Sequence, residues 1–157
     1  METRANLAGA IYGTVLATSL VAAFSEAFEY SALEIAVSVF VTGVVFWLAH
    51  VHSRLFAERY TLRRPLTRAE ITREFTSEWP MVQAVVPPTV LLLLGAAGVF
   101  SRETSIDLAL GVGIGALVAW GLEMGRRERM GPLHIIGVTA TNVFFGVAIV
   151  VLKLIIH

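Results

Sequence analysis

The 157-residue chain lacks cysteine, contains only one lysine and has few charged residues, and these shortages exclude several classes of protein. Without cysteine there are no disulfides, no thiolate metal sites and no thiol redox chemistry. Charged residues make up 15% of the chain and hydrophobic residues 56%, and the mean hydropathy is +0.74, so a water-soluble domain would lack a polar exterior. The formal net charge of zero provides no basic surface for a nucleic acid.

Motifs for catalysis and nucleotide binding are also missing. The chain has no P-loop, HExxH or GxSxG motif, and the glycines Gly111, Gly113 and Gly115 lie inside an apolar stretch rather than after a strand. Imidazole and carboxylate groups suit zinc or manganese by ligand type, but His50 and His52 would point about 160° apart on a helix. We therefore expect a protein that is not an enzyme and has no catalytic residue, metal or cofactor.

Long apolar stretches fill most of the chain. Each has about the 17 to 25 residues that a helix needs to cross the hydrocarbon core of a bilayer. The five stretches are Leu7–Phe24, Leu33–His52, Met81–Phe100, Ile106–Met124 and Leu133–Ile156. The sequence thus predicts an all-α, polytopic membrane protein with five transmembrane helices in a single domain. The first stretch is too long for a signal-peptide core and lacks a cleavage site, so we interpret it as a retained span.

The arginines lie in alternate gaps between these stretches and predict the orientation. Because basic residues stay on the cytoplasmic side, the side with ten of the 12 should be cytoplasmic. These ten are Arg4, Arg54, Arg59, Arg63, Arg64, Arg68, Arg73, Arg126, Arg127 and Arg129. We expect a cytoplasmic amino terminus and an external carboxyl terminus. The preference for arginine over lysine favours a prokaryotic plasma membrane.

Two parts of the sequence resemble each other at an offset of 73 residues. Glu34 then aligns with Asp107, and Trp47 with Trp120. This similarity predicts two tandem hairpins, residues 1–54 and 80–127, related by an axis along the membrane normal and followed by a fifth helix at 132–157. The alternative is chance similarity between two apolar segments.

The linker at residues 55–79 has its own helix start signal. Thr67 followed by Glu70 is a capping box, and Ile71, Phe75 and Trp79 then recur on one helical face. Acidic and basic side chains, including Glu74 and Glu78, should occupy the other faces. This pattern predicts an amphipathic helix along the cytoplasmic interface.

Small residues at four-residue spacing predict close helix packing, because helices in lipid associate through backbone approach. The relevant glycines are Gly9, Gly13, Gly111, Gly115, Gly121 and Gly125. They fit either intramolecular packing or the interface of a homo-oligomer. Pro87 and Pro88 predict a kink that frees the carbonyl groups near Gln83 for a conduction path or binding pocket. The alternative is a packed kink satisfied by a neighbouring polar side chain.

Five ionisable residues should form a layer at the cytoplasmic end: His50, His52, Glu78, Glu123 and His134. An imidazole next to a carboxylate there would influence its protonation, so the layer is a candidate proton or gating site. Ordinary salt bridges and interfacial snorkelling, or a metal site, are the alternatives. Asn142 lies near mid-membrane and must face protein or a wet cavity, which adds it to the candidate pathway.

Two functions fit these features. The first is a homo-oligomeric channel or transporter for protons or small cations, in which His50, Glu78, Gln83, Glu123, His134 and Asn142 are the pathway candidates. The second is a non-conducting scaffold, assembly or regulatory subunit of a larger complex. The expected partners are the lipid bilayer, further copies of the chain and, for the second function, another membrane protein.

Overall fold

The computed structural model describes residues 2–25 and 30–127, together with eight positions near the carboxyl end. Those positions are Ile136, Gly137, Thr139, Ala140, Thr141, Phe144, Ala148 and Val151. The helices are α1 (Glu2–Ser25), α2 (Ala32–Leu62), α3 (Arg68–Ser77), α4 (Trp79–Ala96) and α5 (Arg102–Arg127). No strand occurs in these described residues. Most of the fifth predicted span, with His134 and Asn142, lies outside them.

Local sequence signals set the helix ends. At the start of α2, the Glu34 amide donates to the Ser31 hydroxyl at 3.3 Å, and the Ser31 amide donates to the Glu34 carboxylate at 2.8 Å. The capping box predicted at Thr67 is confirmed, since Thr67 and Glu70 exchange the same two bonds. After α4, Gly98 has a φ of +79°, a left-handed conformation that glycine adopts without steric cost.

Four helical segments are long and apolar enough to cross a membrane. They are Leu7–Ser25, Ala32–Leu62, Arg68–Ala96 and Arg102–Met124. The described chain is therefore all-helical, with the helix lengths and composition of a membrane protein. α2 differs from the prediction, because it continues ten residues past His52 to Leu62. Helical propensity in this polar stretch and the left-handed cap at Arg63 extend it beyond the apolar run.

The helices pack around a central pair. α1 and α4 make the most extensive contact, α2 packs mainly on α4, α5 packs on both α1 and α4, and α2 and α5 hardly touch. The bundle has two ends. We call the one that holds Ser25, Gly98 and Arg102 the short-turn end, and the one that holds α3 and the arginines from Arg54 to Arg73 the arginine end.

An apolar core fills the bundle towards the short-turn end. Its most deeply buried members include Val21, Ile35, Val39, Val85 and Leu92 from α1, α2 and α4. Arg102 at the start of α5 also ties the ends of α1 and α2 together here, donating to the carbonyl groups of Tyr30 at 2.8 Å and Ser25 at 3.2 Å. This half of the bundle is apolar and closely packed.

Candidate functional site

The most unusual group in the bundle is the carboxylate of Glu78. Its residue is only 2% exposed, although isolated carboxylates are among the groups most costly to bury. Glu78 lies between α3 and α4, where it is the N-cap residue of α4. A Cβ atom added to Gly9 of α1 would lie 3.4 Å from its Oε2, so the missing side chain at Gly9 leaves room for the carboxylate.

Two basic side chains from α2 surround this carboxylate. His50 Nε2 lies 3.5 Å from Glu78 Oε2, and Arg54 Nε lies 3.2 Å from Glu78 Oε1. The same Arg54 Nε donates to Glu74 Oε2 at 3.1 Å. Tyr12 of α1 covers the histidine, with its ring stacked on the imidazole at a centroid distance of 6.1 Å. We call His50, Arg54, Glu74 and Glu78 the Glu78 cluster.

Helical spacing explains why these four residues meet. His50 and Arg54 are four residues apart on α2, so they lie on one face. Glu74 and Glu78 have the same spacing on α3 and the turn that follows it. His50 and Arg54 of α2 therefore face Glu74 and Glu78 where α2 packs on α3 and α4. Glu74, predicted on a face of α3 away from Ile71 and Phe75, is only 9% exposed.

Arg73 extends this network of charged groups, because it donates to Glu58 at 2.9 Å and lies 3.8 Å from Glu74. Among the described residues, the connected groups are then three carboxylates, two guanidinium groups and the imidazole of His50. The His50 side chain is 42% exposed, so the network reaches the surface of the bundle there.

A groove lies between α1, α4 and α5, beginning about one helical turn from Glu78 on α4. Its volume is about 210 Å³, and its walls include Thr14, Gln83, Ala84 and Trp120. The Trp120 indole nitrogen is buried and has no hydrogen-bond partner within the described part of the chain. The Gln83 side chain is exposed on the groove wall. The groove is therefore mostly apolar, with Gln83 and Trp120 among its polar residues, and Glu78 does not line it.

Both predicted kink residues also border the groove. α4 continues through Pro87 and Pro88, which have no amide proton to donate to the carbonyl groups of Gln83 and Ala84. The nearby Thr89 hydroxyl donates to the carbonyl of Val85 at 2.8 Å. The proline turn and the Gln83 side chain thus lie together on one surface of the groove.

The structure brings two members of the predicted layer, His50 and Glu78, into contact. Glu123 lies half-buried near the end of α5. His134 and Asn142 fall outside the described residues. Among the described residues, no group of three histidine, aspartate or glutamate side chains is suited to hold a metal ion.

The predicted glycines divide into two groups. An added Cβ would lie 2.5 Å from the Met81 carbonyl oxygen at Gly13 and 2.8 Å from the Thr139 Cα at Gly121, so these two, like Gly9, pack within the molecule. Gly111 and Gly115 have no described atom within 4 Å of that position. The structure does not describe the surroundings of Gly125.

Sequence reasoning missed Arg54, Glu74 and Tyr12 as members of the site. The signal that could have found the first two is the matching four-residue spacing of His50 with Arg54 and of Glu74 with Glu78. Comparison of the chain with protein-family models, with curated proteins and with solved structures finds no match in any of the three.

Proposed function

We propose that this protein is a small integral membrane transporter or channel for protons or small cations, with Glu78 as its central proton-binding group. The observation that supports this most directly is the burial of the Glu78 carboxylate between His50 and Arg54. Ionisable groups within membrane-spanning bundles often belong to proton relays.

The two halves of the bundle favour a gated mechanism over an open pore. The exposed His50 meets Glu78, and the groove with Gln83 on its wall begins further along α4. Beyond the groove, side chains such as Val21 and Leu92 form a dry apolar core. In the proposed mechanism, a proton that enters from the arginine end meets this apolar core before it reaches the short-turn end. Conduction therefore requires the core to open, or a path to form between subunits.

The proposed membrane topology has five spans, the four candidate segments and a fifth near residues 133–156. We place the arginine end and the amino terminus in the cytoplasm of a prokaryotic cell, with the carboxyl terminus outside, because of the arginine distribution. In this arrangement α4 is the part of the third segment that crosses the membrane, and α3 lies along the cytoplasmic interface. The central pairing of α1 with α4, flanked by α2 and α5, is what a parallel repeat of two hairpins would produce.

The test is proton flux into liposomes that contain the full-length protein and a trapped pH-sensitive dye. Glu78→Gln keeps the shape of the side chain but removes its charge, and Arg54 keeps Glu74 at 3.1 Å as a partner, so the variant should fold. Flux should fall to that of protein-free vesicles. The matched control is Glu70→Gln, since glutamine also completes a capping box.

Wild-type flux in Glu78→Gln would exclude Glu78 from the pathway. An equal loss in Glu70→Gln would assign the effect to general damage instead. Glu123→Gln in the same assay tests whether the second predicted carboxylate belongs to the pathway.

A non-conducting scaffold or assembly subunit is the second candidate function. The observation that favours it is the exposed small-residue face of α5 at Gly111 and Gly115, where another helix can approach closely. The same face suits a homo-oligomer. Affinity purification in mild detergent separates the two, because a scaffold should bring a stoichiometric partner and a homo-oligomer only copies of itself.

A further inference from the structure

The last two turns of α2 carry an exposed face of aromatic and basic side chains. Phe56 is 68% exposed and Tyr60 is 81% exposed, while Arg59 and Arg63 are exposed beside them. Phe56, Arg59 and Tyr60 follow the spacing i, i+3 and i+4, so they share one side of the helix. Together with Arg63, the left-handed cap after α2, and with Arg64 and Pro65, they line an open cleft, and we call this surface the aromatic-arginine face.

The arginines of this region differ in whether their charge is already paired. Arg64 makes two bonds to Glu70, at 3.0 and 2.6 Å, and these bonds raise the pKa of Arg64. Arg54 and Arg73 are paired with the carboxylates of the network described above. By contrast, Arg59 and Arg63 have no carboxylate within salt-bridge distance among the described residues. The face therefore presents two uncompensated positive charges.

The length of α2 places this face at the level of lipid headgroups. Its 31 residues extend about 46 Å at 1.5 Å per residue. A bilayer is about 30 Å thick in its hydrocarbon core and about 40 to 45 Å thick with its headgroup regions. If Ala32 lies at one surface, the turns that contain Phe56 and Tyr60 reach the headgroup region of the opposite leaflet.

We propose that the aromatic-arginine face binds the headgroup of an anionic phospholipid. Phe56 and Tyr60 lie at the boundary between acyl chains and headgroups, where amphipathic aromatic rings are favoured. Arg59 and Arg63 reach the phosphate, and the planar guanidinium group matches phosphate geometry with two parallel hydrogen bonds. Charge complementarity selects anionic over zwitterionic lipid, because neither arginine forms a salt bridge within the part of the chain that the structure describes.

The experiment measures lipid binding to the full-length protein in mild detergent by native mass spectrometry. Phosphatidylglycerol and phosphatidylcholine are titrated separately into the wild type, into Arg59→Gln/Arg63→Gln and into the control Arg68→Gln/Arg126→Gln. The control removes two exposed arginines that lie outside the cleft. Circular dichroism confirms the helical content of each variant.

We expect the wild type to bind phosphatidylglycerol more tightly than phosphatidylcholine. Each arginine near an anionic surface contributes about a fivefold gain in affinity, so the cleft variant should bind phosphatidylglycerol about 30-fold more weakly. The control variant should retain most of the wild-type preference. Equal losses in the two variants, or equal affinity for the two lipids, would overturn the proposal. So would equal binding of soluble glycerophosphoglycerol, because the ligand would then be a soluble phosphate rather than a membrane lipid.

Discussion

The contact between α1 and α4 at Gly13 provides a sharp test of the packing, through the substitution Gly13→Ala. The new Cβ would lie 2.5 Å from the Met81 carbonyl oxygen and 2.9 Å from the Met81 Cα. Both atoms belong to the backbone, so no side chain can rotate away. Restoring ordinary contact requires the two central helices to separate by roughly 1 Å, which forfeits about a quarter to a half of the dispersion attraction at each loosened contact.

The expected cost is about 1 to 3 kcal/mol of the free energy of unfolding, the usual range for overpacking in a close-packed interior. Alanine also has a higher helix propensity than glycine, which favours the variant by up to about 1 kcal/mol. Gly111→Ala is the matched control, because it gains the same propensity at a position with no described atom within 4 Å. The difference between the two variants isolates the contact with Met81.

Unfolding can be followed by circular dichroism as a denaturing detergent replaces a mild one, with the free energy extrapolated linearly for each variant. Gly13→Ala should unfold at a lower fraction of denaturing detergent than both the wild type and Gly111→Ala. If Gly13→Ala and Gly111→Ala have the same stability, α1 and α4 do not meet at Gly13, and the placement of Gly9 beside Glu78 is then wrong as well.

Three further substitutions test other parts of the structure. Thr67→Ala should cost about 1 kcal/mol of local helix stability and should speed amide hydrogen exchange within Arg68–Ser77. Thr67→Ser should keep the cap and the slow exchange. Equal exchange rates in the two variants would contradict the cap. Phe75→Ala removes the edge-to-face contact with Trp47 at 5.5 Å, which contributes about 0.5 to 1.5 kcal/mol. The fluorescence emission of tryptophan should shift to longer wavelength without loss of helix. An unchanged emission spectrum would count against the packing of α3 on α2. Gly111→Leu should reduce the oligomer mass in light scattering, and an unaltered mass would remove this face from the proposed interface.

The four long apolar helices could be predicted because a bilayer imposes a simple constraint. Inside hydrocarbon every backbone amide must be satisfied within its own segment, so an apolar stretch of sufficient length has one solution, a helix. The start of α3 was equally accessible, since the two capping bonds between Thr67 and Glu70 lie within a single turn. Signals confined to one helix or one turn were therefore sufficient for these features.

The spacing of Glu74 and Glu78 hints at a pairing with α2, but the end of α2 and the burial of Glu74 also depend on how the helices meet. Hydropathy marks where the apolar run stops near His52, whereas the helix continues in polar sequence to Leu62. That extension brings Arg54 opposite α3. A charged residue on an amphipathic helix is ordinarily assigned to solvent, and Glu74 faces inward only because a basic residue on another helix meets it. Such a pairing depends on the length and approach of two helices together.

The Glu78 cluster also constrains how any proton transfer would proceed. A buried ion pair contributes little net stability, because the cost of desolvation offsets the attraction between its charges. The carboxylate lies next to Gly9 of α1 and beside the partly exposed imidazole of His50. With Arg54 shared between Glu74 and Glu78, protonation of Glu78 would leave that guanidinium paired, so the site can change its charge without exposing an unpaired cation. That property suits a group that repeatedly gains and loses a proton, and it is absent from the dry core towards the short-turn end.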